Sequence, residues 1–101
     1  MTSLTIAMPA YNEADNIARM IDMARTKVAP LVDELEIVVV DDGSSDDTGV
    51  IVRRVGEEDP RVRLVEHPLN LGYGAAVRDA IWAGSEELIF VTDSGLQFDL
   101  S

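Results

Sequence analysis

Residues 38–48 read VVVDDGSSDDT, and this stretch decides the fold. Residues 36–40 are largely β-branched and almost wholly apolar, which is typical of a central parallel strand covered on both faces. Two adjacent aspartates and Gly43 follow, and this pattern predicts a tight turn. Residues 45–47 then supply a cap and first-turn charges for a helix.

The same alternation continues along the chain. Further strands are predicted over residues 4–8, 62–66 and 87–92, and further helices over residues 14–28 and 74–83. The resulting order is βαβαβαβ with short connections, which predicts an α/β fold with a mainly parallel sheet sandwiched by helices in three αβα layers. The length of 101 residues allows one domain, spanning residues 1–101.

Composition excludes several classes of partner. The net charge of -11 argues against a nucleic acid partner and an anionic membrane surface, because both are bound through clustered Lys and Arg. The chain has no cysteine, which fits a reducing compartment. We find no signal peptide and no apolar run of the roughly 18 residues that a membrane span needs. A cytoplasmic location is therefore expected, and membrane association of a full-length form stays open as an alternative.

Four polar loops follow the predicted strands, and ligands of open parallel sheets bind at that edge. They read PAYNEAD, DDGSSDD, HPLNLGYG and DSGLQFD. In the first loop, Asn12 fits a helix cap and a ligand contact equally well. In the second, Asp41 and Asp42 place like charges side by side, which favours a donor-rich ligand, whereas Asp46 and Asp47 fit first-turn helix charges.

The third loop contains Gly72-x-Gly74-x-x-Val77, with Asp93 about twenty residues later. This only superficially matches a dinucleotide fingerprint, because Val77 replaces the third small residue and the unit is the third βα turn. A helix start that accepts phosphate or sugar remains plausible. In the fourth loop, Asp93, at the end of an apolar strand, fits either a turn cap or a ligand of a hard cation such as Mg²⁺.

Together, PAYNE, VVVDDGSSDDT, NLGYGAAVRDAI and TDSGLQFD resemble, in order and spacing, the amino-terminal half of inverting family 2 glycosyltransferases with the Rossmann-like GT-A fold. The resemblance is nearest to the dolichyl- or polyprenyl-phosphate hexosyltransferases. It implies an enzyme that moves a hexose from a nucleotide diphosphate sugar, such as a GDP- or UDP-hexose, to a lipid phosphate or another acceptor. It also implies a Mg²⁺ or Mn²⁺ cofactor.

The resemblance assigns roles by position. The residues it implies for the nucleoside and ribose are Pro9, Tyr11, Glu13, Val40, Asp42, Asn70, Gly72 and Gly74. Asp93 matches the first carboxylate of the family's D-x-D motif and Ser94 its middle residue, so both are implied at the nucleotide sugar. Asp93 and Gln97 are the implied metal ligands.

Two departures from the family bear on activity. Gly95 occupies the position of the second D-x-D carboxylate, so weaker metal binding is expected. The family's acceptor pocket and general base lie beyond the region matched by residues 1–101, so no catalytic base is assigned. The chain is expected to be a truncated donor half that is inactive alone.

Two other classes of function remain possible from the sequence. One is a non-catalytic nucleotide-sugar-binding or regulatory module that has lost the second metal carboxylate. The other is a receiver-like signalling domain, which fits poorly because the paired acids follow the second strand and the only lysine is Lys27. The apolar fourth strand, if exposed at a sheet edge, predicts self-association.

Overall fold

The computed structural model describes residues 3–83 and 88–91. Within these residues, strands and helices alternate in the predicted order βαβαβαβ. The elements are β1 (Ser3–Ala10), α1 (Ile17–Val28), β2 (Glu34–Asp42), α2 (Thr48–Glu58), β3 (Val62–His67), α3 (Tyr73–Ala83) and β4 (Leu88–Val91), with a 3₁₀ turn at Ala29–Leu31 after α1. No helix among the described residues has the length and apolarity to cross a membrane.

The four strands form one sheet in the order β3-β2-β1-β4, and every neighbouring pair is parallel. The prediction that residues 36–40 form a central strand is confirmed, because β2 lies between β1 and β3. β2 extends to Asp42 because its last residues, Asp41 and Asp42, pair with Glu66 and His67 of β3. β4 lies at the edge of the described sheet, beside β1.

Alternate residues of the inner strands pack on opposite faces of the sheet. On one face, Ile6 and Met8 of β1 and Ile37 and Val39 of β2 join a core built with α1 and α2. Each such fully buried side chain contributes about 1.5–3 kcal/mol through removal of apolar surface from water. On the other face, Ala7, Val38 and Val40 pack with Ala76 of α3. This arrangement confirms the three αβα layers.

The first helix begins at Ile17, three residues later than the predicted start at residue 14. Residues 14–16 form a turn instead, in which the Ile17 N–H donates to the Glu13 carbonyl at 2.8 Å. The Asn16 side chain makes no capping hydrogen bond. The Ala14 N–H donates to the Asp46 carboxylate at 3.1 Å, so this turn is tied to the second loop.

Candidate functional site

The described loops at the carboxyl ends of β1, β2 and β3 are joined by hydrogen bonds. Asn12 has a left-handed backbone with φ of 53°. Its side-chain oxygen accepts the Ser45 N–H at 2.9 Å, and its own N–H donates to the Ser44 hydroxyl at 2.8 Å. The interpretation of Asn12 as a helix cap is wrong, because α1 begins only at Ile17. Asn12 instead connects the first two loops.

A buried threonine completes this connection. The Thr48 hydroxyl accepts the Glu13 N–H at 2.9 Å and donates to Asp46. The hydrogen bonds to Thr48, with those from backbone amides, lower the pKa of Asp46 below its ordinary value despite some desolvation. The interpretation of Asp46 and Asp47 as first-turn charges is wrong, because both precede the first turn of α2, which contains no acidic residue.

Asp41 and Asp42 are adjacent in sequence but belong to opposite faces of β2, since alternate residues of a strand point to opposite sides. Asp41 accepts the Ser44 N–H at 3.1 Å, beside α2. Asp42, only 4% exposed, lies on the face covered by α3 and accepts the amides of Leu71 at 2.9 Å and Gly72 at 3.0 Å. The expected crowding of two like charges is therefore relieved by the strand geometry.

His67 is the chain's single histidine, and our sequence analysis did not identify it as a site residue. Its Nδ1 lies 2.7 Å from Asp42 Oδ1, and its Nε2 lies 2.6 Å from Asp79 Oδ2. Burial opposes ionisation of Asp42, but hydrogen bonds from His67 and the two loop amides outweigh it and lower the pKa of Asp42. The available signal was a lone histidine at a strand end, followed in the second turn of the next helix by an aspartate.

Two glycines shape the space above these carboxylates. Gly43 has φ of +74°, and an added Cβ would lie 2.3 Å from the Leu69 carbonyl carbon, so only glycine allows the second and third loops to meet here. Gly72 has φ of +99°, and its N–H reaches Asp42. A Cβ on Gly72 or Gly74 would meet nothing within 4 Å among the described residues, which leaves open space at the start of α3.

The remaining predicted residues occupy different depths at this edge. Tyr11 is 48% exposed, Pro9 is buried and Glu13 is half-buried. Val40 has no exposed surface and packs in the core beneath α3. Its contact with a nucleoside stays a prediction. Asn70 is exposed on the third loop.

The predicted metal and diphosphate residues Asp93, Ser94 and Gln97 lie outside the described residues, as does Gly95. Residues 3–83 and 88–91 contain no group of three or more His, Cys, Asp or Glu that could hold a metal ion. The described part of β4 runs parallel to β1 and has its carboxyl end at the same edge of the sheet, two residues before Asp93 in sequence.

The parallel sheet, the helices on both faces and the polar loops gathered at one edge define the class of α/β proteins that bind ligands beyond the carboxyl ends of their strands. Residues 5–100 match the family described as Glycosyl transferase family 2. The chain belongs to this family. The predicted family and GT-A fold are confirmed, and the receiver-like alternative is set aside.

Curated relatives carry the same region. A dolichyl-phosphate beta-glucosyltransferase of Trichomonas vaginalis is 37% identical over 95 residues, which cover 89% of this chain and 28% of the relative. A dodecaprenyl-phosphate galacturonate synthase of Rhizobium johnstonii is 32% identical over 97 residues, which cover 95% of this chain and 29% of the relative. The chain thus spans somewhat more than a quarter of the length of these relatives.

Solved structures agree with the fold. A mannosyltransferase from Pyrobaculum calidifontis in complex with GDP-Man and Mn²⁺ superimposes with a TM-score of 0.77 at 36% identity, covering 89% of this chain and 26% of that one. Glucosyl-3-phosphoglycerate synthase from Mycobacterium tuberculosis, in complex with Mn²⁺, UDP and glucosyl-3-phosphoglycerate, gives a TM-score of 0.69 at 29% identity, covering 92% of this chain and 33% of that one.

Proposed function

We propose that this chain binds a nucleotide diphosphate sugar, a GDP- or UDP-hexose, at the carboxyl edge of its sheet. Residues 1–101 would form the donor-binding half of a glycosyltransferase that transfers the hexose with inversion. The observation that carries the proposal is Asp42 itself, a buried carboxylate at the carboxyl edge of the sheet that is positioned by two amides of the third loop. Membership of family 2 and the nucleotide complexes of two structural neighbours support it.

The nucleoside would enter between the first and third loops. Tyr11 offers an exposed aromatic face for stacking, and the open space at Gly72 and Gly74 gives a diphosphate access to the start of α3. Asp42 keeps acceptor capacity on Oδ2, which among the described residues takes a hydrogen bond from Gly72 alone. A carboxylate with a free acceptor position can receive an N–H of a base or a ribose hydroxyl.

A divalent cation fits the electrostatics of this edge. The chain carries 19 acidic and 8 basic residues, so a diphosphate needs a cation to offset the repulsion. Asp93 and Gln97 are the residues proposed to hold Mg²⁺ or Mn²⁺, with phosphate oxygens completing the coordination. When bound, the ion would neutralise charge on the leaving diphosphate. Two structural neighbours contain Mn²⁺, which favours that ion.

A lipid phosphate is the proposed acceptor, on the basis of the names of two relatives, a dolichyl-phosphate and a dodecaprenyl-phosphate sugar transferase. The proposed location is cytoplasmic, consistent with the absence of cysteine. We also propose that β4, at the edge of the described sheet, pairs with a second copy of the chain.

The test is a calorimetric titration of GDP, UDP and their hexose conjugates, with and without Mn²⁺. The variant is Asp42→Asn, and the matched control is Glu57→Gln, which removes one negative charge from an exposed position on α2. We expect metal-dependent binding by the wild type, at least about a tenfold loss of affinity in Asp42→Asn and no loss in the control.

Each other outcome has a defined meaning. Binding that does not depend on Mn²⁺ would favour the non-catalytic module over the transferase half. Wild-type protein that binds none of these nucleotides would refute both. Equal affinity in wild type and Asp42→Asn would remove Asp42 from the site.

A further inference from the structure

The His67 side chain is clamped between two carboxylates on different elements. Asp42 lies at the end of β2 and Asp79 lies in α3, and each is within 2.7 Å of one imidazole nitrogen. The His67 side chain is only 7% exposed. Arg78, which donates to the other oxygen of Asp79 at 3.2 Å, is the only further charged side chain with a described contact to this group. His67 thus connects the middle of the sheet to the helix covering it.

The clamp controls the orientation of Asp42. Oδ1 of Asp42 is shared by His67 Nδ1 and the Leu71 N–H, and Oδ2 accepts the Gly72 N–H. His67 is the only side chain among these three donors, and therefore the only one that can carry a charge. A carboxylate held by donors on both oxygens cannot rotate without losing at least one charge-assisted hydrogen bond.

We propose that His67 is a positioning residue for nucleotide recognition. It fixes the Asp42 carboxylate, and through Asp42 it holds residues 71–72 at the edge where the nucleotide binds. This inference rests on the proposed function. His67 acts through Asp42 rather than by touching the ligand, because its side chain is nearly inaccessible.

The protonation state of His67 decides whether the clamp is complete. Only imidazolium donates from both nitrogens, so only the charged form satisfies Asp42 and Asp79 together. The hydrogen bond to Asp42 raises the pKa of His67 above its ordinary value of 6.5 against the opposing effect of burial, and Asp79 raises it further. Both hydrogen bonds of the clamp are present below pH 6.5, and one of them is lost as the pH rises through the raised pKa.

Two amide variants separate the two contacts. In His67→Asn, the amide nitrogen can take the place of Nδ1 and donate to Asp42. In His67→Gln, the longer side chain can take the place of Nε2 and donate to Asp79. Both variants are uncharged and each loses one carboxylate contact, so they are matched controls for each other. A merely structural clamp would be weakened to a similar extent by either change.

There are two readouts. The first is the Kd of the protein for GDP or UDP in the presence of Mn²⁺, with whichever nucleotide the wild type binds. The second is hydrogen exchange of the Leu71 and Gly72 amides. We expect His67→Gln to lose about tenfold in affinity and to exchange these amides faster, with His67→Asn within about threefold of wild type. Neutral imidazole has a single N–H, which donates to Asp42 in some molecules and to Asp79 in others, whereas the amide of His67→Asn donates to Asp42 at every pH. We therefore also expect wild-type affinity to fall, relative to His67→Asn, as pH rises above 6.5. The nucleotide's own titration cancels in this comparison.

The proposal is overturned if the two variants bind alike, or if wild type and His67→Asn share one pH profile. Wild type that binds no nucleotide refutes the proposed function as well, so the two failures are distinguishable. If His67→Gln does not fold, Asp79→Asn replaces it. That variant keeps the contact between His67 and Asp42 but removes the Asp79 carboxylate, which raises the pKa of His67. Nucleotide affinity well below pH 6.5 should therefore persist, and the fall in affinity with rising pH should begin at a lower pH than in wild type. An unshifted profile would overturn the proposal.

Discussion

Gly43 and Leu69 approach so closely that a Cβ on Gly43 would lie 2.3 Å from the Leu69 carbonyl carbon. Gly43 is the first residue after β2, and Leu69 belongs to the loop after β3. Their contact presses the third loop against the second and places the Leu71 and Gly72 amides over Asp42. Gly43 therefore determines how closely the third loop approaches β2 and Asp42.

Gly43→Ala should destabilise the protein by about 1–3 kcal/mol, because the left-handed backbone and the approach of Leu69 both disfavour a Cβ. The measurement is the free energy of unfolding from denaturant titration. Gly74→Ala is the matched control: its Cβ would meet open space on a helix, so it should be neutral or stabilising by up to about 1 kcal/mol. Equal stability of the two variants would contradict this account of the turn.

Asn12→Ala should lower the free energy of unfolding by about 1–2 kcal/mol. The change removes the acceptor of the Ser45 N–H, and it forces alanine into a left-handed backbone conformation that alanine disfavours. Asn12→Asp keeps an acceptor and tolerates the same backbone, so it should retain most of the stability. Denaturant unfolding of both variants provides the comparison. If aspartate proved as disruptive as alanine, the connection between the loops would not depend on this acceptor.

Asp59 is a buried carboxylate at the far end of α2, and it forms ion pairs with Arg61 at 2.9 Å and Arg25 at 3.0 Å. The hydrogen bond from Arg61 leads the effects that hold the pKa of Asp59 well below its ordinary value of 3.8, against the cost of burial. A lowered carboxyl pKa contributes stability above the unfolded pKa, and this contribution is lost as the pH falls through the folded pKa.

Asp59→Asn should therefore destabilise the protein at pH 7 by about 1–3 kcal/mol, since two arginines lose a charged partner. The difference from wild type should shrink as the pH falls below 3.8. Unfolding free energies at several pH values between neutrality and about pH 2 test this dependence. A difference that stays constant with pH would show that packing, rather than charge, stabilises this site.

The edge position of β4 predicts concentration-dependent association. Leu88–Val91 pair with β1 on one side, and no strand pairs with their other side within the described residues. Light scattering should show dimers or larger species, and hydrogen exchange of the β4 amides should slow as protein concentration rises. A monomer at high concentration with unchanged exchange would contradict this prediction.

The alternation of elements and the interior position of residues 36–40 could be predicted, because hydrophobic period and β-branching are local properties of the sequence. The clamp around His67 could not, since it depends on β3 lying beside β2 and on the turn of α3 that presents Asp79. For the same reason, Asp46 was misinterpreted and the two interpretations of Asn12 could not be separated. Asn12 bonds to the second loop, and Asp46 accepts the Ala14 N–H of the first loop as well as bonds from its neighbour Thr48, whereas a local capping rule considers only neighbours in sequence.

The strand order β3-β2-β1-β4 has a consequence for how the protein is made. β1 is synthesised first but borders β4, which is synthesised last among the described strands. The pairing of Leu4 with Leu88 on that side of β1 can therefore form only after β4 has been synthesised. The β1–β2–β3 part can assemble earlier from contacts closer in sequence. The loops around Asp42 can therefore form while the chain is still growing, and β4 joins the sheet afterwards.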